Sequence, residues 1–196
     1  MPARFIITGS ASPDLIRGAS ESLAGRISYY YLQPIGLHEL PGTISLQQHW
    51  LRGGFPQHLT LRNNTIRAEW MNAFITTYIE RDLPFLFDVK FSSVTMRKLW
   101  TMLAHLQGTI LNAENLGRSL DITGTTLKRY LDYLEGAFII TRLQPFYVNL
   151  GKRLVKSPKL YINDTGVLHF LLNIFDKKEL VSHPVLGASW ETYVLS

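Results

Sequence analysis

The chain has 196 residues, of which 46% are hydrophobic and 18% charged, a composition typical of a folded protein and not of a disordered one. It contains no cysteine, which excludes disulfides, thiolate catalysis and cysteine-ligated zinc, while its net charge of +5 is compatible with nucleic-acid binding. Since no apolar run approaches the roughly 18 residues of a membrane span, and the N-terminal apolar stretch is too short for a signal peptide, we expect a cytoplasmic protein outside the membrane.

The first 42 residues predict a strand, a helix and a second strand. Phe5 to Ile7 is an apolar strand that runs into the polar turn Thr8-Gly9-Ser10. Leu15 to Leu23 carries apolar residues at helical spacing, and Ile27 to Leu32 reads as a tyrosine-rich strand that ends before Pro34. Strands of this kind are expected between neighbours in a parallel sheet.

Residues 43–90 predict a mostly helical segment with sharp breaks. The sequence Gly53-Gly54-Phe55-Pro56 predicts a tight turn. A long amphipathic helix is predicted from Ile66 to Leu83, where Pro84 ends it. We place a domain boundary near residues 87–92.

Residues 91–148 predict a winged helix-turn-helix, in which three helices precede a β-hairpin and the helix after the turn can enter a major groove. Asn112 is expected to cap the second helix, and the turn Asp121-Ile122-Thr123-Gly124 separates it from the third. The predicted elements are helices Val94–Gly108, Ala113–Leu120 and Thr125–Gly136, strand Ala137–Leu143 and its returning partner Gln144–Val148.

Basic residues concentrate in this region and just after it. Residues 118–159 contain eight Lys and Arg against three Asp and Glu, so this stretch carries the whole formal excess of +5. The pattern favours DNA contact through the helix after the turn and the hairpin. A protein-binding module with a solvated basic face is the alternative. The candidate DNA-binding residues are Thr123, Thr125, Thr126, Lys128, Arg129, Arg142, Lys152 and Arg153.

Residues 149–196 predict a short strand followed by helices. Leu160 to Ile162 is the strand, Asp164 is a good N-cap for a helix from Thr165 to Leu172, and another helix begins near Gly187. That last helix is not terminated at Ser196, which suggests that the chain stops inside a domain.

Several short stretches, taken in their order and spacing over the whole chain, resemble one prokaryotic family: the AAA-type P-loop ATPases fused to a C-terminal domain of unknown function, DUF4143. The first stretch resembles the sensor strand of the ATPase core, and the last resembles the start of a nuclease-like domain. The stretches are Phe5–Ser12, Glu21–Arg26, Leu51–Pro56, Tyr78–Pro84, Leu150–Arg153, Lys156–Lys159, Asp164–Gly166 and Gly187–Glu191.

This resemblance implies a mixed, mainly α fold. Residues 1–42 would be an AAA ATPase remnant from the sensor strand onward, 43–90 a helical lid or linker, 91–148 the winged helix, and 149–196 the truncated start of a restriction-endonuclease-like α/β domain. The full-length family would bind ATP and Mg²⁺ and could form homo-oligomers through the ATPase part. This chain lacks the phosphate-binding motif G-x-x-x-x-G-K-[ST], so we expect no cofactor in it and no ATP hydrolysis by it alone.

The resemblance also implies catalytic roles for residues of the N-terminal segment. Thr8 and Ser10 would be sensor hydroxyls that orient the attacking water near a γ-phosphate, and Arg26 would reach a neighbouring subunit's nucleotide. The alternatives are an ordinary strand-end turn for Thr8 and Ser10 and a surface arginine near a helix C-terminus for Arg26.

Asp164 and Glu191 are the nuclease-like candidates. Glu191 resembles the acidic residue of the first helix in that nuclease fold, where it can assist a metal site, whereas Asp164 is also explained as an N-cap. The six histidines are scattered without an H-x-x-x-H pair, so we interpret them as structural or surface residues and predict no metal ligands.

Three functions remain open at the level of the sequence. The first is the rear part of an AAA-type ATPase with a DNA-binding winged helix. The second is a non-enzymatic winged-helix module that binds DNA or protein. The third, with the least support, is a nuclease-like protein.

Overall fold

The structure is a computed structural model that describes residues 5–6, 8–9, 28–82, 92–145 and 157–195. Within these residues it contains nine α-helices and a two-stranded antiparallel sheet. The prediction of a mainly α fold is therefore confirmed.

Three short helices form the first half of the described chain, after a 3₁₀ turn at Leu37–Glu39. They are α1 (Leu46–Arg52), α2 (Pro56–Thr60) and α3 (Asn64–Phe74). The start of α1 is fixed by a capping box, because the Ser45 hydroxyl accepts from the Gln48 N–H while the Gln48 side chain accepts from the Ser45 N–H.

The long helix predicted over Ile66–Leu83 is present but changes its hydrogen-bonding pattern. α3 begins earlier than predicted because the Asn63 side chain accepts from the N–H groups of Thr65 and Ile66. After Phe74 the helix continues as a π-helix over Ile75–Asp82. Ile75 and Ile79 of that segment are fully buried, so burial of this face continues through the change.

The predicted helices of residues 91–148 are found within a few residues of their expected ends. They are α4 (Ser93–His105), α5 (Ala113–Ser119) and α6 (Gly124–Gly136). The predicted Asn112 cap is confirmed, because its side-chain oxygen accepts from the Asn115 N–H at 3.0 Å.

β1 (Ile140–Leu143) pairs antiparallel with β2 (Lys159–Ile162), with Ile140 opposite Ile162. The returning strand predicted over residues 144–148 falls mostly outside the described residues, and its described residues, Gln144 and Pro145, belong to no strand. Leu160, Tyr161 and Ile162 of β2 are buried, and β2 has two backbone partners, since its other edge meets residues 108–111. There the Gly108 N–H donates to the Leu160 carbonyl and Ile110 bridges Lys159. β2 is thus the central strand of this small sheet.

The C-terminal helices pack against the first ones. They are α7 (Thr165–Leu171), α8 (Lys177–Ser182) and α9 (Leu186–Leu195). α7 is almost entirely buried, and it contacts α1, α3, α4 and α9. Because Asp164 caps α7 through the Val167 N–H, the predicted N-cap is confirmed.

The prediction of a strand at Ile27–Leu32 is wrong for its described part. Residues 28–32 adopt no regular secondary structure, and Tyr30 and Leu32 are almost fully exposed. Phe5 and Ile6 are exposed as well, and within the described ranges neither segment has a neighbouring strand to satisfy its backbone. The predicted helix Leu15–Leu23 lies outside the described residues, as do Ile7 and Ile27.

Candidate functional site

Helix α6 has one buried face and one exposed, basic face. Its buried residues are Leu127, Tyr130, Leu131 and Leu134. Thr125, Lys128 and Arg129 are exposed on the other side of the helix. The core therefore fixes the orientation of α6, and its N-terminal half presents a hydroxyl and two positive charges outward.

The start of α6 is tightly organised. The Thr123 hydroxyl accepts from the Thr126 N–H at 3.1 Å, and the two threonine hydroxyls lie 2.8 Å apart. A Cβ on Gly117 would come within 2.8 Å of the Ile122 carbonyl oxygen, so glycine permits the close approach of α5 to the turn. Of the three predicted threonines, Thr123 and Thr126 act as the cap and Thr125 is free to face outward.

Arg129 and Arg142 differ in their partners. One amino group of Arg129 donates to the Tyr133 hydroxyl at 3.3 Å, and its side chain is exposed. Arg142 on β1 is half-buried and binds two carboxylates of α6, with its Nε 2.8 Å from Glu135 Oε2 and an amino nitrogen 2.7 Å from Asp132 Oδ1. Arg142 therefore holds β1 to α6, and its charge is compensated there.

The remaining basic candidates lie in the connection between β1 and β2. Lys152 and Arg153 are outside the described residues, but their place in the chain is within residues 144–158, which contain three basic and no acidic residues. Thr8 of the N-terminal candidates is exposed, whereas Ser10 and Arg26 are outside the described residues.

Asp164 is a buried carboxylate held by backbone N–H groups. It accepts from Gly54 at 2.8 Å and from Val167 at 2.9 Å. Burial raises its pKa to about 6 in spite of these hydrogen bonds. Gly53 has a φ of 75°, and a Cβ at this position would lie 2.3 Å from Asp164 Oδ1. The turn before α2 is therefore built around the Asp164 side chain and requires glycine at position 53. The arrangement links two segments of the fold and fits the N-cap interpretation.

Glu191 has different partners from those of Asp164. It accepts from the Tyr161 hydroxyl at 2.6 Å and lies 3.6 Å from the Lys159 ammonium. Over the described part of the chain, no group of three His, Asp or Glu side chains is arranged to hold a metal ion.

Three of the histidines, His49, His58 and His169, are buried and hydrogen-bonded, which the sequence did not reveal. The carbonyl of Leu51 must accept from His169 Nδ1 at 2.9 Å, so His169 Nε2 accepts from the Ser189 hydroxyl at 2.7 Å. Ser189 in turn accepts from the Trp50 indole N–H at 2.9 Å. Burial lowers the pKa of His169 to about 4, so this imidazole is neutral at physiological pH.

His49 and His58 also donate to backbone carbonyls. His49 Nε2 lies 2.8 Å from the Ile35 oxygen, and His58 Nδ1 lies 2.6 Å from the Arg52 oxygen. Burial lowers the pKa of both imidazoles. No signal in the sequence separates these residues from surface histidines, because their carbonyl partners are set by the tertiary packing.

In the described segments, the helices are too short or too polar to cross a lipid bilayer.

Two mycobacterial proteins resemble the chain over its full length. They are uncharacterized proteins of Mycobacterium bovis and Mycobacterium tuberculosis, each 49% identical to it over 195 residues. The match covers 100% of this chain but 44% of each relative, so the chain spans less than half the length of these proteins. No solved structure matches the chain significantly.

The resemblance to AAA-type ATPases fused to DUF4143 is wrong, because the matching family and relatives carry neither description. Packing accounts for two of its motifs, since Gly53 accommodates Asp164, and Gly166 accommodates the Arg52 carbonyl. The ATP and Mg²⁺ of the full-length family, oligomerisation through an ATPase part and the roles of Thr8, Ser10 and Arg26 rested on that resemblance and lose its support. The model of a family described as a domain of unknown function, DUF8612, matches residues 43–178, and the chain belongs to this family.

Proposed function

We propose that residues 93–162 form a winged helix-turn-helix and that the chain binds duplex DNA through it, without catalysis of its own. The order of elements supports this proposal. The order along the chain is α4, the strand contact at Ile110, α5, α6, β1 and β2. In the sheet, β2 lies between β1 and the segment at Ile110. Three helices and a small sheet in this order are typical of winged-helix DNA-binding modules.

The observation that carries the proposal is the exposed face of α6. Thr125, Lys128 and Arg129 lie on its N-terminal half and face outward, opposite a fully buried leucine face. In helix-turn-helix proteins the N-terminal residues of the second helix contact base edges and phosphates. Arg142 contributes indirectly in this proposal, because it fixes the angle between α6 and β1 through Asp132 and Glu135.

The connection between β1 and β2 would be the wing. Its sequence includes Lys152, Arg153 and Lys156 and no acidic residue. Basic residues in such a connection can contact the phosphate backbone beside the groove that the helix occupies. Nonspecific affinity would then come from these phosphate contacts, and base discrimination from α6.

The test is a titration of labelled duplex DNA by fluorescence anisotropy at several salt concentrations. The double substitution Lys128→Ala with Arg129→Ala should weaken binding and reduce the salt slope by roughly two phosphate contacts. A matched control is Lys177→Ala with Lys178→Ala, which removes the same charge from exposed positions on α8, outside this module. The control should bind like the unmodified chain.

Two results would contradict DNA binding by α6. The first is that the unmodified chain binds DNA no more tightly than the double variant at low salt. The second is that the control variant loses as much affinity for DNA as the double variant does. Thermal unfolding should change little in either variant, because exposed substitutions alter stability by about ±0.5 kcal/mol.

A protein-binding function is the second candidate, and one observation favours it. Ile110 and Leu143 lie on either side of Lys159 in register across the small sheet, and they are 64% and 42% exposed. Residues directly opposite in a sheet share a face, so the two apolar side chains border one surface. If the DNA titration fails, this surface is where we expect a protein partner, and Leu143→Lys would then disrupt its binding.

A further inference from the structure

Three of the described helices, α5, α6 and α7, end in the same way. Each is followed by a Schellman motif, in which the second residue past the helix takes a left-handed backbone conformation. These residues are Asp121, Phe138 and Asn173, with φ of 55°, 61° and 57°. In each case the N–H of the following residue donates to the carbonyl five positions earlier, at 2.9, 3.0 and 2.8 Å respectively.

Phe138 differs from the other two residues in its side chain. Asp and Asn tolerate the left-handed region because their short polar side chains bond locally, whereas a bulky residue is strained there. Glycine fits without strain and is the usual residue at this position of the motif. Burial in the core does not explain the phenylalanine, because Phe138 is 41% exposed. A strained and exposed aromatic residue therefore indicates a separate requirement for its ring.

The ring of Phe138 contacts a tyrosine from the start of the described chain. Its centroid lies 5.5 Å from that of Tyr31, and the two ring planes are inclined at 73°, which is an edge-to-face pair. The backbone of Phe138 is fixed as well, because its carbonyl accepts from Asn163 Nδ2 at 2.8 Å. The left-handed turn therefore holds the ring against Tyr31 from a backbone that is itself well anchored.

The segment that carries Tyr31 is also held at its far end, by Ile35. The Ile35 N–H donates to the Gly54 carbonyl at 2.9 Å, and the Ile35 carbonyl accepts from His49 Nε2 at 2.8 Å. Packing there is close, since a Cβ on Gly54 would lie 2.7 Å from the Ile35 carbonyl oxygen. Residues 31–35 therefore connect the turn between α1 and α2 to the C-terminal end of α6.

We propose that Phe138 is the docking site for residues 28–35, and that this segment is a strap that ties α1 and α2 to α6 through Tyr31. The strain at Phe138 is retained because glycine or asparagine would relax the turn but remove the ring. Tyr31 is more than half exposed, so the strap can detach at Phe138 while Ile35 remains bound. The proposed DNA-binding residues lie on the N-terminal half of α6, so the strap does not depend on DNA binding.

The first test measures the order of the strap by NMR relaxation of backbone amides in the whole chain. Phe138→Asn suits the left-handed conformation but removes the ring, so the order parameters of residues 28–34 should fall below about 0.6. Phe138→Tyr keeps a ring at the same position and should leave these order parameters unchanged. Tyr31→Ala should release the strap as Phe138→Asn does. Tyr30→Ala is its matched control, because Tyr30 is 92% exposed.

The second test is a double-mutant cycle followed by thermal unfolding. If the two rings stabilise each other, the Tm of the variant with both Tyr31→Ala and Phe138→Asn should lie about 2 to 4 °C above the value expected from adding the two single losses. Tyr30→Ala combined with Phe138→Asn should be additive. Additive losses at Tyr31, order parameters unchanged by Phe138→Asn, or equal release by Tyr30→Ala would each overturn the proposal. Phe138 would then serve only to end α6.

Discussion

Asp164 and His169 should make opposite contributions to the pH dependence of stability, although both lie at helix α7. Burial raises the pKa of Asp164 from 3.8 to about 6, so folding favours its protonated form. Burial lowers the pKa of His169 from 6.5 to about 4, so folding favours its neutral form. Between about pH 4 and pH 6 the folded state gains a proton at Asp164 while the unfolded state gains one at His169.

The two contributions are similar in size. A change of one pKa unit corresponds to about 1.4 kcal/mol, so each shift is worth about 3 kcal/mol. The Asp164 contribution to stability is complete below about pH 4 and is lost as pH rises towards about 6. The His169 contribution is complete above about pH 6.5 and is lost as pH falls through about 4. In the unmodified chain these two slopes nearly cancel.

Single substitutions should separate the slopes. In urea unfolding between about pH 4 and pH 7, the unmodified chain should lose about 3 kcal/mol relative to His169→Asn as pH falls. Relative to Asp164→Asn it should gain about 3 kcal/mol over the same change. An asparagine side chain at position 169 can still donate to the Leu51 carbonyl. The hydrogen bonds that either variant loses change its free energy of unfolding by an amount that does not vary with pH.

The comparison with the unmodified chain also removes the contribution of other groups. His49 and His58 have lowered pKa values too and destabilise the fold in acid, but they do so in all three proteins. If the two differences had the same sign, or if neither varied with pH, the assignment of the protonated acid and neutral imidazole in the folded state would be wrong.

Two further predictions concern the packing at Gly166 and the ion pairs of Arg142. Gly166→Ala should destabilise the chain by about 3 kcal/mol or more, because the added Cβ would lie 2.0 Å from the Arg52 carbonyl oxygen. Gly187→Ala is the control, because no atom lies within 4 Å of its added Cβ. That substitution should be neutral or stabilise α9 by up to about 1 kcal/mol. Thermal unfolding measures both, and equal effects would contradict the packing argument. Arg142→Met should lower the free energy of unfolding by about 1 kcal/mol at low salt. That loss should shrink at high salt, since Asp132 and Glu135 are partly exposed, and a loss independent of salt would mean that packing, not charge, holds β1 to α6.

The sequence predicted most helices after residue 91 because their ends carry local signals. Asn112 and Asp164 cap the helices that follow them, as their residue types predict. The predicted leucine spacing also identified the buried face of α6 correctly. These signals lie within a turn or two of the residues that they control.

The failed predictions depended on distant partners. β1 pairs with Lys159–Ile162, and the local pattern after Leu143 gives no information about that partner. The strand expected at Ile27–Leu32 had the right residue types, but β-propensity does not provide a neighbouring strand. The hydrogen bonds of His169 to the Leu51 carbonyl and the Ser189 hydroxyl form only when α1, α7 and α9 come together, so no spacing in the sequence predicted them.

The central position of β2 has a consequence for synthesis of the chain on the ribosome. Ile110 and Leu143 both precede Lys159, which pairs with both, so the two outer strand segments leave the exit tunnel before the strand that joins them. Until Ile162 has emerged, the nascent chain carries unpaired backbone edges at residues 108–111 and 140–143. Exposed edges of this kind attract other chains, so we expect arrested chains that end before Pro158 to depend on chaperones more than chains that extend beyond Ile162 do.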